Sequence, residues 1–265
     1  MEPLPRRLAA ILCCAVLTVA FAGACGGGDA DVPPVPASSA DQAPEPEERC
    51  GFPADDTIEK VVLTTSDGLE LAAARFGTGP RGLALVHQLG SDLCGWYPQA
   101  KRWAGEGYQV IAFDQRCDGL SECGGPEPAT DVPAATAELR RNGAKTVQVI
   151  GASRGAAIAL VAAARPETDA DAVVSLSAHD PRFSAAATAP ITPLEAAPSL
   201  KIPLLFACAD DDPSAFCGDS AKEFLGAVAA TDKKVIELKD SSLHGWDMMG
   251  SIESDVDAFL KAHAG

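Results

Sequence analysis

The feature of this chain that most constrains its fold is a repeated alternation, across residues 50–265, of short apolar runs with longer amphipathic ones. Runs 61–65 and 69–76 flank Asp67-Gly68, the composition of a tight hairpin turn, so the folded part opens with an antiparallel pair. Further runs follow at 82–89, 109–113, 146–151, 172–177, 203–209 and 234–238. They are apolar throughout rather than every second residue, as strands covered on both faces are. Segments 97–106, 131–142, 155–164, 219–230 and 251–262 between and after them carry helical periodicity. An antiparallel start followed by strand–helix alternation predicts an α/β architecture: a mostly parallel central sheet with helices on both faces. In such sheets reactive residues gather at the carboxyl ends of the strands.

Ahead of this domain, Arg6 and Arg7 precede an apolar run over residues 8–24 that exits through small residues, the pattern of a secretory signal. The run sits at the lower limit for spanning a bilayer, which makes an uncleaved anchor the weaker reading. Ala22-Gly23-Ala24-Cys25 resembles the lipobox of bacterial lipoproteins, although Ala22 stands where that family prefers Leu or Val. The resemblance implies cleavage before Cys25, lipidation of its sulfur, and an extracytoplasmic protein held to the bacterial membrane. The alternative is plain secretion. Residues 25–49, rich in Gly, Pro, Ala and acidic residues, read as a flexible linker between anchor and domain. The expected organisation is therefore signal 1–24, linker 25–49 and folded domain 50–265.

Charge and cysteine content narrow the partners. With 21 Lys and Arg against 37 Asp and Glu the net charge is −16, and no basic cluster lies beyond the first residues, which excludes nucleic acid as a partner. Of nine cysteines, Cys13 and Cys14 leave with the signal and Cys25 is the lipidation candidate. An even set remains: Cys50, Cys94, Cys117, Cys123, Cys208 and Cys217. In an exported domain these favour disulfides over a metal site, since no C-x-x-C or finger-like Cys/His spacing is present. Cys117–Cys123 and Cys208–Cys217 each close a short loop, leaving Cys50–Cys94. Bridges there flank the motifs below and would rigidify the mouth of a site.

Chemistry concentrates at Gly151-Ala152-Ser153-Arg154-Gly155, which follows one strand and opens an Ala-rich helix. This is G-x-S-x-G in strand–turn–helix context: a tight turn lifts the serine hydroxyl clear of the sheet at a helix N-terminus. A serine needs a base. Of the four histidines, His244 lies in the loop after the last strand and can return to the nucleophile, whereas His263 is nearly terminal and His87 and His179 end earlier strands. The acid that orients the imidazole is sought in Asp210-Asp211-Asp212, at the end of run 203–209.

This order, Ser then Asp then His, with the elbow and the alternating strands, resembles the α/β-hydrolase superfamily over residues 55–265, most of all its small esterase and dienelactone-hydrolase-like members. Ala209-Asp210-Asp211-Asp212 is similar to the family's G-x-x-D pattern and so implies Asp212 as the acid, with Asp211 second and Asp180 a further alternative. Val86-His87-Gln88-Leu89-Gly90 resembles the H-G-x-x loop, with Gln88 in place of glycine. The match implies an oxyanion hole made by the backbone N–H groups of Leu89 and Arg154. The stretch 113–121, Phe113-Asp114-Gln115-Arg116-Cys117-Asp118-Gly119-Leu120-Ser121, resembles the D-x-R-G-x-G-x-S turn with Cys117 in place of glycine. Asp114 and Arg116 are there expected to be structural.

The resemblance implies a serine hydrolase, a carboxylesterase acting through an acyl-enzyme without metal or organic cofactor. The interval between runs 172–177 and 203–209 is short, which implies a minimal lid and a small to medium acyl substrate. Trp96, Tyr97, Phe183, Phe216 and Trp246 are candidate lining residues, each equally a core candidate. Arg154 either attracts an anionic substrate group or pairs with a nearby carboxylate. The competing readings are an inactive hydrolase-fold binding protein and an acyltransferase using the same triad. A dinucleotide-binding fold is excluded, because no G-x-G-x-x-G follows the first strands.

Overall fold

The structure, a computed structural model, describes residues 39–125, 127–179 and 191–265. Eight strands form one sheet: β1 (Ile58–Thr64), β2 (Glu70–Phe76), β3 (Arg81–Val86), β4 (Tyr108–Phe113), β5 (Thr146–Ala152), β6 (Ala172–Leu176), β7 (Leu204–Ala209) and β8 (Lys233–Leu238). Their order is β1-β2-β4-β3-β5-β6-β7-β8. Only β2 runs antiparallel to its neighbours, pairing with β1 through a Thr65–Gly68 turn in which Gly68 takes φ +88°. From β4 to β8 every pairing is parallel.

The helices are α1 (Pro46–Cys50), α2 (Tyr97–Gly105), α3 (Asp131–Arg141), α4 (Arg154–Ala163), α5 (Pro193–Ala196), α6 (Gly218–Ala227) and α7 (Met249–Ala262). Those long enough to pack divide between the faces of the sheet. Val132 and Leu139 of α3, the buried length of α4 and Phe224 of α6 share one core with Ile111, Phe113 and Phe206. Trp103 of α2 and Ile252, Val256, Phe259 and Leu260 of α7 share the other with Val110, Ala112 and Leu205. Successive residues of β4 thus alternate between two apolar cores, which is why its sequence does not alternate in polarity. The edge strand β8 does alternate, with Lys233, Val235 and Glu237 outward. No helix among the described residues is long and apolar enough to cross a membrane.

The domain starts earlier than composition suggests. Residues 39–49, assigned to the linker from their prolines and small polar residues, pack against the sheet. Ala40 and Ala43 are buried against Ala72, and Lys60 donates to the Ala43 carbonyl. Arg49, at the end of α1, bridges Asp92 and the fully buried Asp114. Proline excludes regular ladders but not docking, and a buried carboxylate needs a cation from somewhere in the chain. Residues 1–38, which hold the signal, Cys25 and the first part of the linker, lie outside the described residues, as do Asp180 and Phe183.

The turn after β4 is held by charge. Asp114 accepts the N–H groups of Leu93 and Leu120 as well as Arg49. Arg116, almost wholly buried, donates to Asp131, Asp67, Thr130 and the Gly124 carbonyl. Both residues are structural, as expected. Cys117 stands at φ +66°, a left-handed conformation that costs an L-residue about 1–2 kcal/mol and that glycine would adopt freely. Its disulfide to Cys123 closes this turn.

The two acids on Arg116 titrate in opposite directions. Burial pushes the Asp131 carboxyl up to about 6, against the pull of the guanidinium. Hydrogen bonds from Arg116 and Thr65 hold Asp67 at about 2. Because folded Asp131 binds its proton more tightly than the unfolded chain, its stabilising effect is fullest below about pH 4 and is lost as pH rises to about 6. Asp67 contributes above about pH 4, and that contribution is lost as pH falls towards 2. Urea unfolding from pH 6.5 to 4 is therefore expected to favour wild type over Asp131→Asn progressively, by on the order of 2 kcal/mol. In Asp67→Asn the loss below pH 4 is expected to diminish instead.

Candidate active site

Ser153 sits between the end of β5 and the first residue of α4, at φ +53° and ψ −118°. The flanking glycines are required by close approach. A methyl group on Gly151 would lie 2.2 Å from the Gly155 carbonyl oxygen, and one on Gly155 would lie 2.3 Å from the Val86 oxygen and 2.4 Å from the His87 oxygen. The helix thus starts in contact with the carboxyl end of β3. The Ser153 N–H donates to Leu176 of β6 at 2.8 Å, and its carbonyl accepts the first helical bonds from Ala156 and Ala157. The serine is fixed on three sides while its side chain remains partly accessible.

The three consecutive aspartates after β7 have separate tasks. Asp210 receives the Ser241 N–H and donates its own to Leu238, and the Asp211 N–H donates to the Ser241 carbonyl, so both tie the β7 loop to the β8 loop. Asp212 turns inward. Its side chain is 2% exposed, one oxygen accepts the Ser214 N–H, and the other lies 2.5 Å from His244 Nδ1. With Nδ1 donating to a carboxylate, Nε2 is left as the basic nitrogen, and no described residue bonds to it. The Cys208–Cys217 disulfide closes the loop bearing Asp212, with Cys208 in β7 and Cys217 preceding α6.

The turn bearing His244 meets the strand leading to Ser153 one residue away from each side chain. A methyl on Gly245, which takes φ +58°, would lie 3.6 Å from the Ala152 side chain. Three residues further on, Met248 receives the Ser177 hydroxyl at 2.8 Å, at the end of the strand neighbouring β5. Among the described residues the N–H groups of Leu89 and Arg154 donate to nothing. Leu89 follows the very β3 end that Gly155 touches, so both free donors belong to one contact region.

His87, unassigned from sequence, secures this region. It is fully buried, and burial depresses its pKa, keeping it neutral. Nε2 accepts the Gln115 N–H at 3.1 Å, which leaves the proton on Nδ1 to donate to the Gln88 carbonyl at 2.9 Å. Gln115 returns a 2.6 Å bond to the His87 carbonyl. The sequence signal was its place at the end of an apolar strand, opening the stretch that resembles the H-G-x-x loop. The side chain of Arg154 is committed to Asp118, so the pairing alternative describes it and no free cation faces the site from this residue. Three of the aromatic lining candidates are core: Trp96 and Tyr97 are fully buried and Phe216 packs on Phe206 and Phe224. Trp246 stacks edge-on against Trp96. Aromatics beside the strand ends fill the space beneath the loops rather than above it.

The three disulfides are Cys117–Cys123 and Cys208–Cys217, the pairs favoured by spacing, and Cys50–Cys94, the pair left over, and they indicate an oxidising environment. Among the described residues no group of three or more His, Cys, Asp or Glu is arranged to hold a metal ion.

The architecture matches many solved structures. An esterase of Pyrococcus furiosus superposes with a TM-score of 0.68 at 20% identity, covering 78% of this chain and 91% of that one. An acetyl xylan esterase from Paenibacillus sp. R4 gives 0.63 at 17%, covering 78% and 85%. The esterase EaEST from Exiguobacterium antarcticum gives 0.60 at 14%, covering 77% and 97%. No model of a known protein family matches the sequence, and no curated protein matches it. At these identities the likeness establishes the fold: this is an α/β-hydrolase fold with its sheet order, its antiparallel opening and its strand–turn–helix elbow.

Replacing Cys208 and Cys217 together by serine releases a short loop closure, expected to cost about 2–3 kcal/mol of stability. A denaturant midpoint unchanged from wild type would show the loop to be held by its backbone bonds alone.

Proposed function

We propose that this protein is a serine hydrolase, a carboxylesterase acting on small to medium acyl esters. The observation that carries the reading is the Asp212–His244 pair on the turn that meets the Ser153 elbow. His244 Nε2 takes the proton of Ser153 Oγ as the hydroxyl attacks the acyl carbonyl. Negative charge passes to the carbonyl oxygen, where the N–H groups of Leu89 and Arg154 and the positive end of α4 stabilise it. The imidazolium, held by Asp212, returns its proton to the leaving alcohol as the C–O bond breaks. Water then attacks the acyl-enzyme with His244 again as base, releasing the acid and restoring the serine. No step draws on a metal or organic cofactor.

The N-terminal pattern ending at Cys25 supports an exported chain anchored to the membrane by lipid, which fits the oxidising environment of its disulfides. A fluorophosphonate probe is expected to label the wild type and not Ser153→Ala. Hydrolysis of p-nitrophenyl acetate and butyrate is expected to fall by at least about 10⁴-fold in Asp212→Asn, with binding little changed. Absence of probe labelling in the folded wild type would overturn the proposal.

A further inference from the structure

Gln88 departs from the resemblance in the site's own loop, and the structure gives it a place. Its backbone is immobilised on both sides: the His87 ring donates to the Gln88 carbonyl, and Gln115 clamps His87 through ring and carbonyl. From this fixed point the side chain reaches across to the base turn. The position a Cβ would take on Gly245 lies 2.3 Å from Gln88 Oε1, 3.4 Å from its Cδ and 3.6 Å from the Ala152 side chain. Three segments therefore converge at Gly245. They are the turn bearing the Leu89 N–H, the strand end that delivers Ser153, and the turn bearing His244.

Two further observations separate this contact from incidental packing. Gln88 Oε1 is buried and accepts no hydrogen bond among the described residues. A buried acceptor without a partner destabilises the fold, and an apolar side chain of the same length would avoid the penalty, so a group kept in that state calls for a role. The complementary surface is Gly245. At φ +58° it is a conformation suited to glycine, and the space its missing side chain leaves is the space the carboxamide fills.

We propose that Gln88 is a positioning residue whose carboxamide, lodged against Gly245, sets the spacing between the oxyanion turn and the His244 turn. The proposal rests on the serine hydrolase reading above. Gln88 does not touch the reacting atoms in this scheme; it acts through the two turns. When the hydroxyl, imidazole and hole must align within a fraction of an ångström, the wedge keeps the base turn from collapsing towards the hole. A glycine at position 88 leaves that gap to be filled by other means, and in this chain the glycine stands on the opposite side of the contact, at Gly245.

The test compares wild type with Gln88→Ala, Gln88→Gly and Gln88→Met, using the rate of fluorophosphonate labelling per folded molecule and the kcat and KM for p-nitrophenyl butyrate. Shortening the side chain to Ala or Gly is expected to slow labelling and kcat about tenfold or more while KM changes little. Methionine, of similar length, is expected to restore most of the rate. Labelling of Gln88→Ala at the wild-type rate, or a lower melting temperature with an unchanged rate per folded molecule, would overturn the positioning role and leave the hydrolase reading intact. Failure of the wild type itself to label would remove the hydrolase reading and this inference with it.

Discussion

The close approach of α4 to the end of β3 is the contact on which the site depends. Gly155 has no side chain, and the carbonyls of Val86 and His87 occupy the space one would need. Because they do, the first turn of α4, with its unsatisfied N–H groups, abuts the turn that carries Leu89. Any larger residue at 155 would push the helix off the sheet, separating the two free donors and lifting Ser153 away from the neighbouring strands. The buried neutral His87 and its reciprocal bonds with Gln115 fix the other side of the same contact. A helix end and a strand end are thereby made into one rigid surface, and the positive φ of Ser153 is tolerated because its neighbours are over-determined.

The opposite partner in the site, the imidazole, arrives on loops, and loops need other means of support. The parallel strands β3, β4 and β7 all point their carboxyl ends to the same edge, and the disulfide loops follow them there: Cys94 after β3, Cys117–Cys123 after β4, and Cys208–Cys217 from β7. Covalent closure limits the conformations of irregular chain that has little apolar surface to bury. Around Asp212 this closure is joined by backbone bonds from Asp210 and Asp211 to the β8 loop, so Asp212 and His244 share one braced unit.

Much of this was legible in the sequence, and the part that was not has a common physical cause. Strands buried on both faces declare themselves through unbroken apolar runs, and the elbow declares itself because two glycines and a serine at fixed spacing satisfy one steric problem. Two disulfide pairs followed from loop length, and the third from the cysteines they left over. What stayed hidden were relations between residues distant in sequence. Composition assigned 39–49 to a linker, and only the tertiary position of Asp114 shows why Arg49 docks. Trp96 and Tyr97 read equally as pocket or core, because the face of a helix that meets the sheet is set by packing beneath the loops. Cys117 read as a departure from glycine, yet it adopts the glycine conformation and adds a cross-link. Gln88 likewise read as a departure from glycine, and its counterpart, the glycine at 245, lies far away in the chain.

The electrostatics of the site depend on how Arg154, the residue after Ser153, is used. Arg154 supplies a backbone N–H next to the nucleophile, while its guanidinium is spent on Asp118 in the disulfide-closed turn after β4. Asp210 and Asp211 add carboxylates on the β7 loop, on a chain of net charge −16. In the proposed reaction, charge developing on an acyl oxygen is met by amide dipoles and the α4 terminus, worth about half an elementary charge at short range, and not by the Arg154 guanidinium. Fixed dipoles need no reorganisation and are effective only at the position they point to. On the proposed function, a neutral ester carbonyl seated there would gain their full benefit, whereas an anionic substrate would first have to approach a surface that repels it. The same pairing that removes Arg154 as an anion receptor thus leaves the site dependent on geometry, which is why so much of the sequence around it serves to hold backbone in place.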